Sequence, residues 1–254
     1  MGGDNQWGPR RLVSLVPSTT ESVCAFGARD RLVGCTRYCT HPVGVLDGVE
    51  RLGGTKNPDR ESVLALAPDL VLGNAEENRP EDLAWLQQRV PVLVQTPRRI
   101  GEAVQGLAEL AEVLGTGEAC AAAVAQQVDA ALRRVEQGRV GPRVYYAIWR
   151  KPWMSVSADT FVHDVLAQAG ARNVCADEPA RYPEVSPAVA VARAVDRVLL
   201  ASEPWAFDEA QRAELAQRGD FGDARLVLCD GRDFCWHGVH MAIGLPRAFA
   251  LLSA

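Results

Sequence analysis

Cysteine and histidine side chains recur at short spacing in two stretches of the chain. Cys39 and His41 sit two apart in Arg37-Tyr38-Cys39-Thr40-His41-Pro42, where an extended backbone turns both side chains to one side. A thiolate and an imidazole are donors for zinc, copper or iron, and either could supply an axial bond to a metal chelate. The competing reading is structural: Cys39 packs as a small apolar group and His41 closes the loop. Cys235, His237 and His240 form a second cluster, with Cys235 and His237 the weaker pair of metal candidates. His237 and His240 share a face only if a helix has already begun there; otherwise His240 reads as a helix-surface residue. Joined to Cys39 and His41, the second cluster could complete a four-ligand site.

Two further groups suit a polar ligand. Glu76-Glu77-Asn78-Arg79 follows an apolar strand and precedes a helix begun by Pro80, the end of an open α/β sheet where ligands bind. Its carboxylates could accept hydrogen bonds from a ligand, dock a protein partner or complement the helix dipole. Trp149-Arg150-Lys151-Pro152-Trp153 brings two indoles and two cations together in a chain with 6% aromatic residues. Indoles combine flat apolar area with one donor, so with Arg181, Tyr182 and Trp236 they make a candidate ligand wall. Core packing is the alternative for Trp149. His163 and Asp164 fall in a helical pattern and read as surface or packing residues. No His-Glu-x-x-His, Gly-x-Ser-x-Gly or Cys-x-x-Cys occurs, and Gly54 occupies the lysine position of the one Walker-like spacing, after Gly48 and Gly53.

The elements that must position these groups follow from periodicity. Runs rich in Val and Leu at 12–16, 32–35, 70–72 and 92–94 alternate with helical patterns, and a second series follows at 144–149, 173–174, 198–201 and 226–229. This is the pattern of parallel sheets covered by helices. Ser18 and Glu21 have capping-box spacing for the first helix, which ends near Gly27. Between the two series, Val124, Val128, Ala131, Leu132 and Val135 mark one face of a helix over 117–137. The expected architecture is α/β: two Rossmann-like lobes with parallel sheets, 1–116 and 139–254, joined by one long connecting helix at 117–138. A last helix spans 238–252 and is kinked by Pro246.

This order resembles the helical-backbone metal receptor superfamily, the cobalamin, haem and iron-siderophore binding proteins of ABC importers, or class III periplasmic binding proteins. The resemblance covers nearly the whole chain. It is carried by Arg11-Leu-Val-Ser-Leu-Val-Pro-Ser-Thr-Thr-Glu21, Asp30-Arg-Leu-Val-Gly34, Gly53-Gly-Thr-Lys-Asn-Pro-Asp59 and Leu64-Ala-Leu-Ala-Pro-Asp-Leu-Val71. Asp159-Thr-Phe-Val-His163, Arg181-Tyr-Pro-Glu-Val-Ser186 and the Trp236 region add to it. The chain looks most like the cobalamin-binding branch. That resemblance implies a small-ligand binding protein with a ligand cleft between lobes, built from loops at 38–42, 55–58, 74–79, 149–154, 180–183 and 233–237. The implied contacts include Tyr38, Cys39, His41, Thr55, Glu76, Glu77, Asn78, Trp149, Arg150, Trp153, Arg181, Tyr182, Trp236 and His237. The loop at 37–42 stands where cobalamin binders carry a Tyr-rich loop, and Thr55-Lys56 where they carry an aromatic. The ligand therefore stays open among a corrinoid, haem, a ferric chelate and a transition-metal ion, and a metal- or cofactor-using enzyme on the same scaffold is the alternative to a binding protein.

Composition narrows the partners. With 254 residues, 48% of them hydrophobic, the chain can bury a sizeable core. A net charge of -5 leaves no basic footprint for nucleic acid. No run is long enough to span a membrane, so a small molecule, a chelate or a protein is the expected partner. The start, Met1-Gly-Gly-Asp-Asn-Gln-Trp-Gly-Pro-Arg-Arg11, lacks the apolar run of a secretory signal. It is read as cytoplasmic, or as periplasmic or lipid-anchored if a leader has been removed. Seven cysteines, an odd number in a chain of this size, read as reduced thiols.

Overall fold

The computed structural model describes residues 8–135 and 141–253. The chain divides into two compact units. The first takes in the chain up to Pro97 with Gly101–Ala125 and His237–His240; the second takes in Arg98–Ile100, Gln126–Trp236 and the chain from Met241.

The first unit begins with β1 (Leu12–Ser14), α1 (Pro17–Ala25), β2 (Leu32–Cys35) and β3 (Glu50–Arg51). A small hairpin of β4 (Gly53–Gly54) and β5 (Asn57–Pro58) follows, then α2 (Arg60–Ala65), β6 (Leu70–Gly73), α3 (Pro80–Gln87), β7 (Val92–Val94) and α4 (Ile100–Leu114). The five main strands form a parallel sheet in the order β3-β2-β1-β6-β7. A parallel strand covered on both faces needs an unbroken apolar run, and β1 and β6 supply one: Leu12, Val13, Val71 and Leu72 are buried. Val13, Leu15, Leu52, Val63, Val71, Leu86 and Val90 make one core cluster.

α1 starts differently from the capping-box expectation. Val16 is the cap residue, no side chain caps the helix, and Pro17 takes its first position. Proline has no N–H to satisfy and its fixed φ already suits a helix, so Ser18 falls inside and its hydroxyl is buried without a hydrogen-bond partner.

α5 (Glu118–Arg134) carries the chain from the first unit into the second. Its 17 residues span about 26 Å, with Val124, Val128 and Ala131 buried along one face. The expected helix end at Gln137 and the lobe boundary at 138/139 lie outside the described residues.

The second unit contains β8 (Arg143–Ala147), the hairpin of β9 (Trp149–Arg150) and β10 (Trp153–Met154), α6 (Phe161–Gln168), β11 (Arg172–Asn173), α7 (Pro187–Ala192) and β12 (Arg197–Ala201). α8 (Glu209–Arg218), β13 (Arg225–Cys229), α9 (Arg232–Cys235) and α10 (Met241–Ser253) complete it. Its parallel sheet has the order β11-β8-β12-β13. Tyr145, Val198, Leu200, Leu215 and Phe221 lie in its core. The expected strand through 144–149 is interrupted after Ala147, because the chain turns into the antiparallel β9-β10 hairpin. The last helix begins at Met241, not at 238, and holds Pro246 within it.

Candidate functional site

In a parallel sheet every strand delivers its following loop to the same edge, so the carboxyl ends of the strands are where side chains from distant segments meet. In the first unit these loops follow β1, β2, β6 and β7. Asn78 ties the loops after β1 and β6 to the β4-β5 turn. Its Nδ2 donates to the carbonyls of Leu15 (3.2 Å) and Thr55 (3.0 Å), and its Oδ1 accepts from the Asn74 N–H (2.8 Å). The side chain is buried and its amide is spent on the backbone, so Asn78 braces these loops.

Asn74 is the companion node. Its Oδ1 accepts from the N–H groups of Glu76 (2.7 Å) and Glu77 (3.2 Å), which holds both half-buried carboxylates on one tight turn. Its Nδ2 meets His237 Nε2 at 3.0 Å. His237 arrives with a short segment laid on α1, where the Val239 N–H donates to Ser22 Oγ (3.2 Å). Gly238 allows that approach: its φ is +121°, and a Cβ there would stand 2.6 Å from Ser22 Oγ. Burial lowers the His237 pKa to about 4, so the ring is neutral at ordinary pH and Nε2 accepts from the amide. A cavity of about 420 Å³ opens beside it at the carboxyl end of β7, lined by Thr19, Ser22, Gln95, Thr96, Glu102 and His237 among others.

The expectation that Cys39 and His41 face the same way is corrected. Cys39 is fully buried and receives hydrogen bonds at its sulfur, from Thr20 Oγ1 at 3.1 Å and in a 3.2 Å contact with Thr36 Oγ1. His41 is half-buried outside it, with Nδ1 at 3.1 Å from Thr40 Oγ1. The reason is local: the chain turns at Cys39, whose N–H bonds the Thr36 carbonyl, so it is not extended there. Tyr38 is an exposed aromatic in this loop, 53% accessible, with the Arg37 guanidinium 5.1 Å from its ring centre. Thr55 is half-buried in the β4-β5 turn.

In the second unit, Trp149 meets Trp205 edge-on with ring centres 4.9 Å apart. Trp153 is stacked on Phe207 (5.9 Å) and edge-on to Phe221 (5.2 Å), so it fastens the hairpin to the core. Arg150 is committed to a two-pronged ion pair with Glu214 at 2.6 and 3.0 Å. Arg181 pairs with Asp159 at 2.7 Å, and Arg98 reaches the same carboxylate at 2.9 Å. Arg181 holds the Asp159 pKa below the ordinary carboxylate value. Tyr182 is 37% exposed and Trp236 is buried, with Arg232 over its ring at 5.8 Å.

The second cysteine-histidine cluster does not assemble as a donor set. Cys235 donates to Glu203 Oε1 at 3.1 Å in the second unit, whereas His237 pairs with Asn74 in the first. His240, expected on a helix surface, is buried ahead of α10 with Nδ1 3.7 Å from Glu21 Oε2. Among the described residues no group of three or more His, Cys, Asp or Glu side chains is placed to hold a metal ion.

Glu203 was missed by the sequence reading. It follows β12 in Ala201-Ser202-Glu203-Pro204-Trp205, at the same sheet end that singled out Glu76 and Glu77, and the same rule applied to β12 would have found it. Burial raises its pKa, against the hydrogen bonds from Cys235 and Trp236. A larger cavity, about 570 Å³, lies between α8 and the edge strand β13 and is lined by none of the candidate residues.

The sequence profile described as periplasmic binding protein matches residues 12–219. The chain belongs to the periplasmic binding protein family. Its relatives by sequence are small-ligand binders: the vitamin B12-binding protein of Vibrio cholerae serotype O1 is 27% identical over 180 residues, which cover 69% of this chain and 64% of the relative. The match thus spans less than two thirds of that relative's length. Among solved structures, the periplasmic vitamin B12 binding protein of Vibrio cholerae superposes with a TM-score of 0.82 at 20% identity, covering 97% of this chain and 98% of the other. A periplasmic haem binding protein from Pseudomonas aeruginosa gives a TM-score of 0.80 at 25% identity, over 96% and 92% of the two chains.

Membership of the periplasmic binding protein family overturns the cytoplasmic assignment. The family description and the titles of both solved neighbours say periplasmic, and the composition of the first residues carries no weight against that. Among the described residues no helix is long and apolar enough to cross a membrane.

Proposed function

We propose that the chain is a receptor for a corrinoid, acting by binding and release and not as an enzyme. The observation that carries this reading is the sequence relationship to vitamin B12-binding proteins across most of the chain, on a fold shared with vitamin B12 and haem binding proteins. The site chemistry supports it. A corrinoid presents a broad apolar ring rimmed with amides, and such a rim calls for hydrogen-bonding side chains interleaved with aromatic area. The proposed contacts in the first unit are Tyr38, Thr55, Glu76, Glu77 and His237. In the second unit they are Trp149, Tyr182 and Trp236. Cys39, Asn78, Arg150 and Trp153 support these surfaces without touching the ligand.

Haem is the second reading, favoured by the 25% identical haem binding neighbour. A panel of cyanocobalamin, haemin and a ferric hydroxamate separates the two, read by thermal shift and visible spectrum. Stabilisation by cyanocobalamin alone supports the corrinoid reading, stabilisation by haemin replaces it with haem, and no response to any of the three overturns the chelate-receptor assignment.

A further inference from the structure

Beneath the exposed Tyr38 loop lies a pair of thiols outside the ligand contacts proposed above. Cys35 ends β2 and Cys39 closes the turn that follows, four residues on. Both are fully buried, and both are free thiols. Arg51 pins the two ends of the turn from β3: its Nη1 donates to Cys35 Sγ at 3.0 Å and to the Cys39 carbonyl at 2.7 Å, with the Thr36 carbonyl at 3.2 Å. One guanidinium nitrogen in contact with both residues holds them at close range.

The two sulfurs differ in the way an exchange reaction needs. The neighbouring Cys35 thiol and the hydroxyls of Thr20 and Thr36 favour the Cys39 thiolate and outweigh its burial, lowering its pKa, whereas the Cys35 thiol is raised. Cys24, nearby on α1, is pushed up to about 11 by burial. A thiolate and not a thiol is the nucleophile in disulfide exchange. Tyr38 and Thr40, on either side of Cys39, are exposed, so opening this one surface turn is enough to bring the sulfur to solvent without unfolding the sheet.

We propose that Cys35 and Cys39 are a redox pair that closes to an intrachain disulfide by exchange with a disulfide reagent or protein. The Cys39 thiolate attacks one sulfur of the incoming disulfide and expels a thiolate, leaving a mixed disulfide on Cys39. Cys35 gives up its proton and attacks Cys39 Sγ, forming the Cys35–Cys39 bond and expelling the second thiolate. Two electrons pass from the cysteine pair to the incoming disulfide, which leaves as two thiols after taking up two protons, the one released by Cys35 and the one that Cys39 gave to solvent on ionising. The product staples the turn that presents Tyr38 and His41.

The native, full-length chain should be incubated with oxidised glutathione, quenched in acid, denatured, alkylated with iodoacetamide and digested with trypsin. Arg37 lies between the two cysteines, so trypsin separates them unless a bond joins them. The expected result is loss of two alkylation sites out of seven, and a cross-linked pair of peptides carrying Cys35 and Cys39 that reduction splits. Cys24→Ser should behave as wild type, and Cys35→Ser should stop at a glutathione adduct on Cys39. Seven alkylated cysteines in the wild type, glutathione adducts without a cross-link, or a link from Cys39 to Cys24 would each overturn the proposal. The peptide mapping needs only the wild-type protein, so the outcome does not depend on how well either variant folds.

Discussion

His237 and Asn74, 163 residues apart in sequence, share a hydrogen bond of 3.0 Å in which the imidazole accepts and the amide donates. A protonated ring could not accept that bond. The native pKa of about 4 lies below the ordinary 6.5, with burial as its cause. Between those values the unfolded chain takes up a proton that the native state refuses, so stability is full above about pH 6.5 and falls as pH drops toward 4, by up to roughly 1.4 kcal/mol per pH unit. Melting temperatures from pH 7 to pH 4 should show this fall in the wild type and a shallower one in His237→Gln, which keeps an acceptor but cannot charge. Equal slopes in the two proteins would remove His237 as the cause.

Asn78 makes three hydrogen bonds to backbone groups of three different loops. Asn78→Ala strands those buried groups and should cost on the order of 3 kcal/mol in denaturant unfolding. Asn78→Asp keeps the acceptor toward Asn74 and loses the donors, and should also destabilise. A cost below about 0.5 kcal/mol, ordinary for a surface change, would mean that the three loops hold together without it.

How much of this was legible in the sequence depends on what each side chain has to do. The strands were readable because a parallel strand must be apolar on both faces, and runs such as Leu70–Gly73 or Arg197–Ala201 have little other use. Side-chain direction was not. Cys39 turns inward because Thr20, nineteen residues earlier, donates to its sulfur and the Thr36 hydroxyl is in hydrogen-bond contact with it, and Asn78 is consumed by Leu15 and Thr55; spacing carries no trace of either. Two-residue strands such as Trp149–Arg150 and Trp153–Met154 are too short for a period, so the hairpin reads as a loop, with Trp149 as the tail of the strand before it. Glu203 was within reach of the rule applied to Glu76 and Glu77.

The two indoles of the hairpin should separate on substitution. Trp153 packs on Phe207 and Phe221 in the core, so Trp153→Ala should lower stability by about 2 to 3 kcal/mol, short of the full cost of an aromatic because the ring is half-buried, while the folded fraction keeps its ligand affinity. Trp149→Ala should weaken ligand binding with the smaller loss of stability. The reverse pattern, measured by paired titration and unfolding, would exchange their roles.

Glu203 is held with a raised pKa, by burial first. Its native carboxyl keeps its proton at pH values where the unfolded chain has lost it, so its contribution to stability is present below the ordinary pKa of 4.5 and is lost as pH rises through the native value. Glu203→Gln removes the charge that burial penalises. The difference in unfolding free energy between variant and wild type should therefore move in favour of Gln as pH rises from 4 to 7, and a difference that stays constant across that range would show that Glu203 does not titrate with folding.

The central claim, that this periplasmic binding protein family member is a corrinoid receptor, is tested most directly by calorimetric titration of the purified chain with cyanocobalamin. The account predicts a saturable isotherm with one ligand per chain and a dissociation constant of micromolar or tighter, about -8 kcal/mol or more favourable, weakened roughly tenfold or more by Tyr38→Ala. A flat isotherm with cyanocobalamin from protein that melts cooperatively would contradict it.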